Sequence, residues 1–367
     1  MKLRRLTGLL LSLVLLFCTG CSQSAAPRSA PSPTAEEQAL SSPSEDSAKA
    51  PSDQQAEETV SAEKNAPAPA QEASFTLCAY LPVSSMTQGA AAVAEEYAGS
   101  IAALDYLVLN TGAYWDENGA LSLSDELLDA IETLQGKTAL WCTVNPQGAL
   151  IREGTAGQSI DTPQERQALA QEIAAFAEQY GLAGIDIDWE FPLDDEWEDF
   201  STFLITLKDT LSRNSEPVAL SLALYPEEIA LSEEAIAALD RIHMMAYDQF
   251  DSEGFHSTMQ AAEDAVAYFT ALGASPQQLV LGIPAYGRPL DGSAQWVFYK
   301  DIDPESISGE NPDLVGDISF NSAATAAQKT QYALEQNFSG VMVYQLLCDR
   351  NDQDALILAC ANMAENA

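Results

Sequence analysis

Gly184-Ile185-Asp186-Ile187-Asp188-Trp189-Glu190-Phe191-Pro192 is the stretch on which the fold turns. Its strict alternation marks a β-strand. Asp186, Asp188 and Glu190 share one face, and Ile185, Ile187 and Trp189 share the other. Steps of roughly 7 Å along a face set the three carboxylates in one ascending column. If that face lines a barrel, desolvation and mutual repulsion raise at least one pKa, and a proton is shared. A protonated carboxyl at the mouth, above charged carboxylates, is what glycoside hydrolysis needs. An exposed acidic edge strand would instead leave Trp189 and both isoleucines without cover.

Eight apolar runs read as strands: 75–81, 104–110, 138–144, 184–189, 218–224, 242–246, 279–284 and 340–345. Helical stretches separate most of them. The clearest is Pro163–Tyr180, with Thr162 as cap, Pro163 at the first helical position and Glu165 closing a capping box. Gly181 ends it. Alternating strands and helices over about 290 residues predict an α/β fold, a single (β/α)8 TIM barrel over residues 75–367. Only 55 residues separate the last two strands, so no large insertion domain is expected. Catalytic groups then belong at the C-terminal strand ends, where Glu190 sits.

Leu182-Ala183-Gly184-Ile185-Asp186-Ile187-Asp188-Trp189-Glu190 resembles the Asp-Gly-x-Asp-x-Asp-x-Glu signature of glycoside hydrolase family 18, the chitinases and related β-N-acetylglucosaminidases. Ala183 departs from it where the first Asp is expected, which predicts a weakened buried hydrogen-bond network. Met245-Ala246-Tyr247-Asp248 resembles the family's second motif, and Gly282-Ile283-Pro284-Ala285-Tyr286-Gly287-Arg288 its strand-seven motif. Ser319-Phe320-Asn321 to Lys329 and the last strand also resemble the family, but Tyr344-Gln345 replaces the usual Trp-Glu.

The resemblance implies substrate-assisted hydrolysis of β-1,4-linked N-acetylglucosamine glycans with retention, chitin or chitooligosaccharides foremost with N-glycan cores and peptidoglycan left open, and no metal or cofactor. Glu190 would be the acid and Asp188 the partner of the acetamide nitrogen. Asp186 would hold or share Asp188's proton, and Tyr247 would bind the acetamide oxygen. Tyr80, Asp248, Tyr286, Arg288 and Tyr344 are the candidate sugar contacts. Arg288 is open between sugar hydroxyls and a carboxylate partner. Trp115 is open between a stacking platform and a loop anchor. Thr143 or Asn145 is expected to bond the carboxylate column, and His243 reads as a satisfied core residue. The rival reading is a non-hydrolytic sugar-binding surface lipoprotein.

The first 20 residues read as a signal peptide. Lys2, Arg4 and Arg5 precede an apolar run from Leu9 to Phe17 that is too short to span a bilayer. Cys18-Thr19-Gly20-Cys21 resembles a bacterial lipobox, with Cys21 carrying the lipid. Residues 21–74, rich in Ala, Ser, Pro and Glu, read as a disordered tether. From residue 75 onward 10 basic residues face 46 acidic ones, a formal charge of −36. That excess argues against nucleic acid and against anionic wall polymers, is compatible with a neutral glycan partner, and reads foremost as what keeps a surface protein soluble. The expected protein is a monomer on a bacterial cell surface, held to the membrane only through its anchor. Cys78, Cys142, Cys348 and Cys360 show no paired spacing and are expected to be buried free thiols. Cys21→Ala should abolish lipid labelling and membrane retention; a variant still labelled and retained refutes the anchor.

Overall fold

The computed structural model describes residues 75–116, 119–145, 160–190, 192–307 and 311–367. The expected signal peptide, Cys21 and tether lie outside them. Eight parallel strands close a barrel. In chain order the first are β1 (Thr76–Pro82) and β2 (Tyr106–Asn110). A hairpin of β3 (Ala113–Trp115) and β4 (Leu121–Leu123) follows, and then the barrel resumes with β5 (Ala139–Val144), β6 (Gly184–Ile187), β7 (Ala219–Leu224) and β8 (Arg241–Met244). β9 (Leu279–Pro284) leads into a small antiparallel sheet of β10 (Tyr286–Pro289), β11 (Val297–Phe298), β12 (Leu314–Val315) and β13 (Ile318–Ser319). β14 (Gly340–Tyr344) returns to pair with both β1 and β9 and closes the ring. The expected barrel is present, and the 55 residues before β14 hold short strands and one helix rather than a domain.

Strand parity sorts the side chains into two layers. Leu77, Ala79 and Leu81 of β1, Ile185 and Ile187 of β6, and Ile242 and Met244 of β8 face outward into the core shared with the helices. Cys78, Tyr80, Tyr106, Trp141, Val280 and Met342 fill the interior. Trp189, fully buried, continues the outward set and packs on Phe200 of α5 (Trp197–Leu211), 4.8 Å between centroids. Burying a side chain of this kind contributes about 1.5–3 kcal/mol. The carboxylates are thereby committed to the inside.

The helix α4 (Pro163–Tyr180) has the bounds its sequence announces. Thr162 and Glu165 form the capping box, and Gly181 takes the left-handed conformation at φ 62° that ends it. Two strands stop two residues before the C-terminal ends of their apolar runs. β6 stops at Ile187, where its pairing with Val144 and Leu222 ends. β8 stops at Met244 because the Ala246 N–H turns back onto the Met244 carbonyl at 2.8 Å. Both endings release the following residues from the ladder and let them rise at the barrel mouth. The four described cysteines are free and buried, and burial pushes the Cys78 and Cys360 thiols up to about 12.

Gly184 is a packing requirement. A Cβ there would meet the Trp141 ring at 2.2–2.5 Å. Gly184→Ala should therefore destabilise the fold by about 1–3 kcal/mol through overpacking. A chemical denaturation midpoint equal to wild type would show that Trp141 yields freely.

Candidate active site

Asp186 lies at the bottom of the carboxylate column and has no solvent exposure. Hydroxyl donors converge on it from three other strands of the barrel. Tyr80 of β1 donates to Oδ2 at 2.9 Å, Thr143 of β5 to Oδ2 at 3.1 Å, and Ser221 of β7 to Oδ1 at 2.5 Å. His243 of β8 brings Nδ1 to 3.3 Å from Oδ1. Thr143 and Ser221 are the register partners of Asp186 on the adjoining strands, and Tyr80 and His243 reach it across the barrel interior. Of the two residues left open after strand three, Thr143 is the one that bonds the column. The network around Asp186 is dense despite Ala183, because its donors come from other strands.

Asp188 and Glu190 stand above, half-buried. They are hydrogen-bonded to each other and both are raised, so the pair shares a proton. Burial comes first, then the charges of Glu190 and Asp186, in pushing Asp188 well above the usual carboxylate range. Glu190 is raised overall as well, chiefly by burial, with the Asp248 charge adding to it. Asp188's proton bond thus runs up to Glu190, while Asp186 is occupied by its own donors.

Tyr247 follows β8 and is buried, its hydroxyl held protonated by burial and by surrounding acidic groups. Its ring stacks on Tyr344 at 5.6 Å, and Tyr344 also meets Tyr80 at 5.7 Å. Asp248 sits at φ 61°, in the left-handed region, which costs an L-residue about 1–2 kcal/mol. Several bonds fix it there. Its N–H donates to His256 Nε2 at 3.0 Å, Tyr286 donates to its carboxylate at 2.8 Å, and Arg288 forms an ion pair with it. Burial opposes the Asp248 charge, but His256, Tyr286 and Arg288 outweigh it and hold the carboxyl below its ordinary range.

Arg288 therefore pairs with a carboxylate and also lies over the Phe250 ring at 5.3 Å. Trp115 donates its Nε1 proton to the Asn145 carbonyl at 3.0 Å and packs against the outer core, the behaviour of a loop anchor. Sequence reasoning passed over Ser221, Tyr106 and Trp296. Trp296 stacks face to face on Tyr286 at 3.7 Å and meets Tyr344 at 6.4 Å, extending the aromatic lining. Strand parity marks Ser221 and Tyr106 as inward. Trp296 lies in a loop, with no periodic signal. Among the described residues no cluster of His, Cys, Asp and Glu has metal-binding geometry.

An eight-stranded parallel barrel with a hydrogen-bonded carboxyl pair at its C-terminal mouth defines a class of α/β-barrel proteins. The profile of the glycosyl hydrolases family 18 matches residues 154–349, and the chain belongs to that family. It is similar to probable chitinase 2 of Drosophila melanogaster, 27% identical over 166 residues, covering 40% of this chain and 34% of the relative. Chitinase 1 of Aphanocladium album is 24% identical over 245 residues, covering 52% and 58%. The chain thus spans between a third and three fifths of the length of these curated relatives. In fold it is similar to the GH18 chitinase ChiB from the chitin utilization locus of Flavobacterium johnsoniae, with a TM-score of 0.66 and 23% identity over 80% of this chain and 94% of that one. It is also similar to human YKL-39, described as a pseudo-chitinase that retains chitooligosaccharide binding, with a TM-score of 0.64 and 15% identity over 80% and 100%.

Because the folded state raises Asp188's pKa, the stability it contributes is complete below the ordinary Asp range and is lost as pH rises through the raised value. Asp188→Asn removes that loss. Its melting temperature relative to wild type should climb by about 2–4 °C between mildly acidic and mildly alkaline pH. A difference that stays flat or falls with pH contradicts the assignment.

Proposed function

We propose that the protein is a retaining glycosidase that hydrolyses β-1,4-linked N-acetylglucosamine glycans, chitooligosaccharides foremost, by substrate assistance. The observation that carries this reading is the Asp188–Glu190 carboxyl pair standing over the donor-ringed Asp186. The family's curated relatives named as chitinases support the substrate class.

When the sugar's acetamide N–H takes Asp188 as its acceptor, Asp188 gives up its bond to Glu190 and the shared proton passes to Glu190. Glu190 protonates the glycosidic oxygen as the anomeric C–O bond breaks. The acetamide oxygen supplies the electron pair to the anomeric carbon and forms an oxazolinium. Asp188 holds the ring nitrogen, and the Tyr247 hydroxyl donates to the acetamide oxygen. Water then attacks the same carbon, gives its proton to Glu190 and opens the ring. Two inversions leave the configuration retained. The aromatic lining of Tyr247, Tyr286, Trp296 and Tyr344 suits the apolar faces of pyranose rings. The strongly acidic surface suits a neutral glycan. The N-terminal sequence supports a lipid anchor at Cys21 that places the barrel outside a bacterial cell.

Glu190→Gln keeps shape and removes the transferable proton. Turnover of a chitooligosaccharide should fall on the order of 100-fold or more while binding persists. Comparing an acetamido glycan with its 2-hydroxy counterpart tests the nucleophile, since equal cleavage of both would exclude the acetamide. Binding without turnover by the wild type would favour a non-hydrolytic surface receptor.

A further inference from the structure

His243 reads from its sequence as a core residue, and it is fully buried. Its surroundings are nonetheless those of the site floor. Nδ1 lies 2.6 Å from the Tyr80 hydroxyl and 3.3 Å from Asp186 Oδ1, and Nε2 lies 2.9 Å from the Tyr106 hydroxyl. These contacts place a proton on Nδ1. Tyr80 has a single hydroxyl proton, and it points to Asp186 Oδ2. The short Tyr80–His243 contact then needs its proton from Nδ1. In the neutral ring Nε2 is then the acceptor and Tyr106 the donor. The Nδ1–H is donated to the Tyr80 oxygen, with Asp186 Oδ1 3.3 Å away.

We propose that His243 is a positioning residue for the reaction. It acts through Tyr80 and Asp186: its Nδ1–H turns the Tyr80 hydroxyl proton onto this carboxylate, which keeps the carboxylate beneath Asp188 and prevents it from taking the proton shared by Asp188 and Glu190.

The ring is held for that purpose. Tyr106 and Trp141 stack along one side of it at 6.0 and 6.1 Å, and Tyr80 meets it edge-on at 5.6 Å. Ser221 and Thr143 hydroxyls can rotate away from Asp186, whereas the imidazole cannot turn without losing Tyr106. The ionisable groups that face His243 are Asp186 from β6, Tyr80 from β1 and Tyr106 from β2. Behind Tyr106 lie the Cys78 thiol and the Arg241 guanidinium, the latter 5.6 Å from the Tyr106 ring centre. The Asp186 charge is among the forces that keep Asp188 protonated. A change in how Asp186 is held must therefore be felt at Glu190, which takes its proton from Asp188. Removing the Nδ1 donor lets the Tyr80 hydroxyl turn away from Asp186, which then has a lone pair open to the proton, and the proton moves down the column instead of up.

The test uses two substitutions that separate the ring nitrogens. His243→Asn keeps a donor near the Nδ1 position, and His243→Gln reaches toward the Nε2 position. With a chitooligosaccharide substrate, His243→Gln should lose on the order of tenfold or more in kcat with little change in KM. The acidic limb of its kcat/KM profile should move to higher pH. His243→Asn should recover most of the rate and the wild-type profile. A merely structural role predicts that the two variants lose rate in proportion to their melting temperatures, with unaltered pH profiles, and that result overturns the proposal. The kinetic arm rests on the glycosidase reading, but a second arm does not. The chain has only two histidines, so 15N-labelled imidazole spectra of the full chain are simple, and His243→Asn assigns the His243 signals by their loss. Wherever the imidazole is neutral, wild type should show a protonated Nδ1 and a bare Nε2. Asp186→Asn should shift the Nδ1–H resonance upfield. An Nε2–H tautomer, or a resonance indifferent to Asp186→Asn, overturns the proposal even if the wild type hydrolyses no glycan tested. Absence of turnover with the expected spectrum would instead count against the glycosidase reading alone.

Discussion

A carboxylate with no access to water has to be met by donors from the protein, and Asp186 is met from four strands at once. Leaving such a group unpaired would cost several kcal/mol. The strands that meet Asp186 are therefore constrained, and Tyr80, Thr143, Ser221 and His243 all turn inward. In the same interior Trp141 packs against Gly184 and Tyr106 stacks on the imidazole. The floor of the site and the packing of the barrel interior are one structure. A change made for either purpose reaches the other.

Above that floor the column becomes chemically useful because its members are not equivalent. Asp186 is satisfied by fixed donors, while Asp188 and Glu190 have chiefly each other. Two carboxyls in contact under partial burial hold a proton between them at a pH where separate carboxylates would be ionised. The endings of β6 and β8 matter for the same reason. If either ladder continued, Glu190 and Tyr247 would be spent on the barrel wall rather than standing at its mouth. The left-handed turn at Asp248 is tolerated because Tyr286, Arg288 and His256 bind that residue on several sides.

The aromatic lining shows how the departure at Tyr344 is accommodated. Tyr344 lies among Tyr80, Tyr247 and Trp296. Trp296 arrives from the loop between β10 and β11 and is backed by the full face of Tyr286. A smaller ring at the end of β14 is thus supplemented by a large one from a different segment. Arg288, beside this lining, is tied to Asp248 and Phe250, so its charge stabilises the turn of the site.

The alternation of 184–190, the capping box at Thr162 and Glu165, and Gly181 were legible in the sequence because each is a local rule. Parity assigns faces, an N-cap satisfies its own helix, and a left-handed residue ends it. Eight apolar runs in alternation with helices likewise declared the barrel, since parallel strands buried on both faces need apolar side chains nearly throughout. Strand ends were less legible, because β6 and β8 stop where neighbouring strands cease to pair. What only the tertiary structure decided was partnership between strands distant in sequence. Ser221 and His243 lie 35 and 57 positions beyond Asp186, and no local pattern says that closure of the ring will aim them at it. Nor could sequence divide Arg288 between sugar and Asp248, or Trp115 between platform and anchor. Those outcomes depend on which atoms lie within a few ångströms after folding.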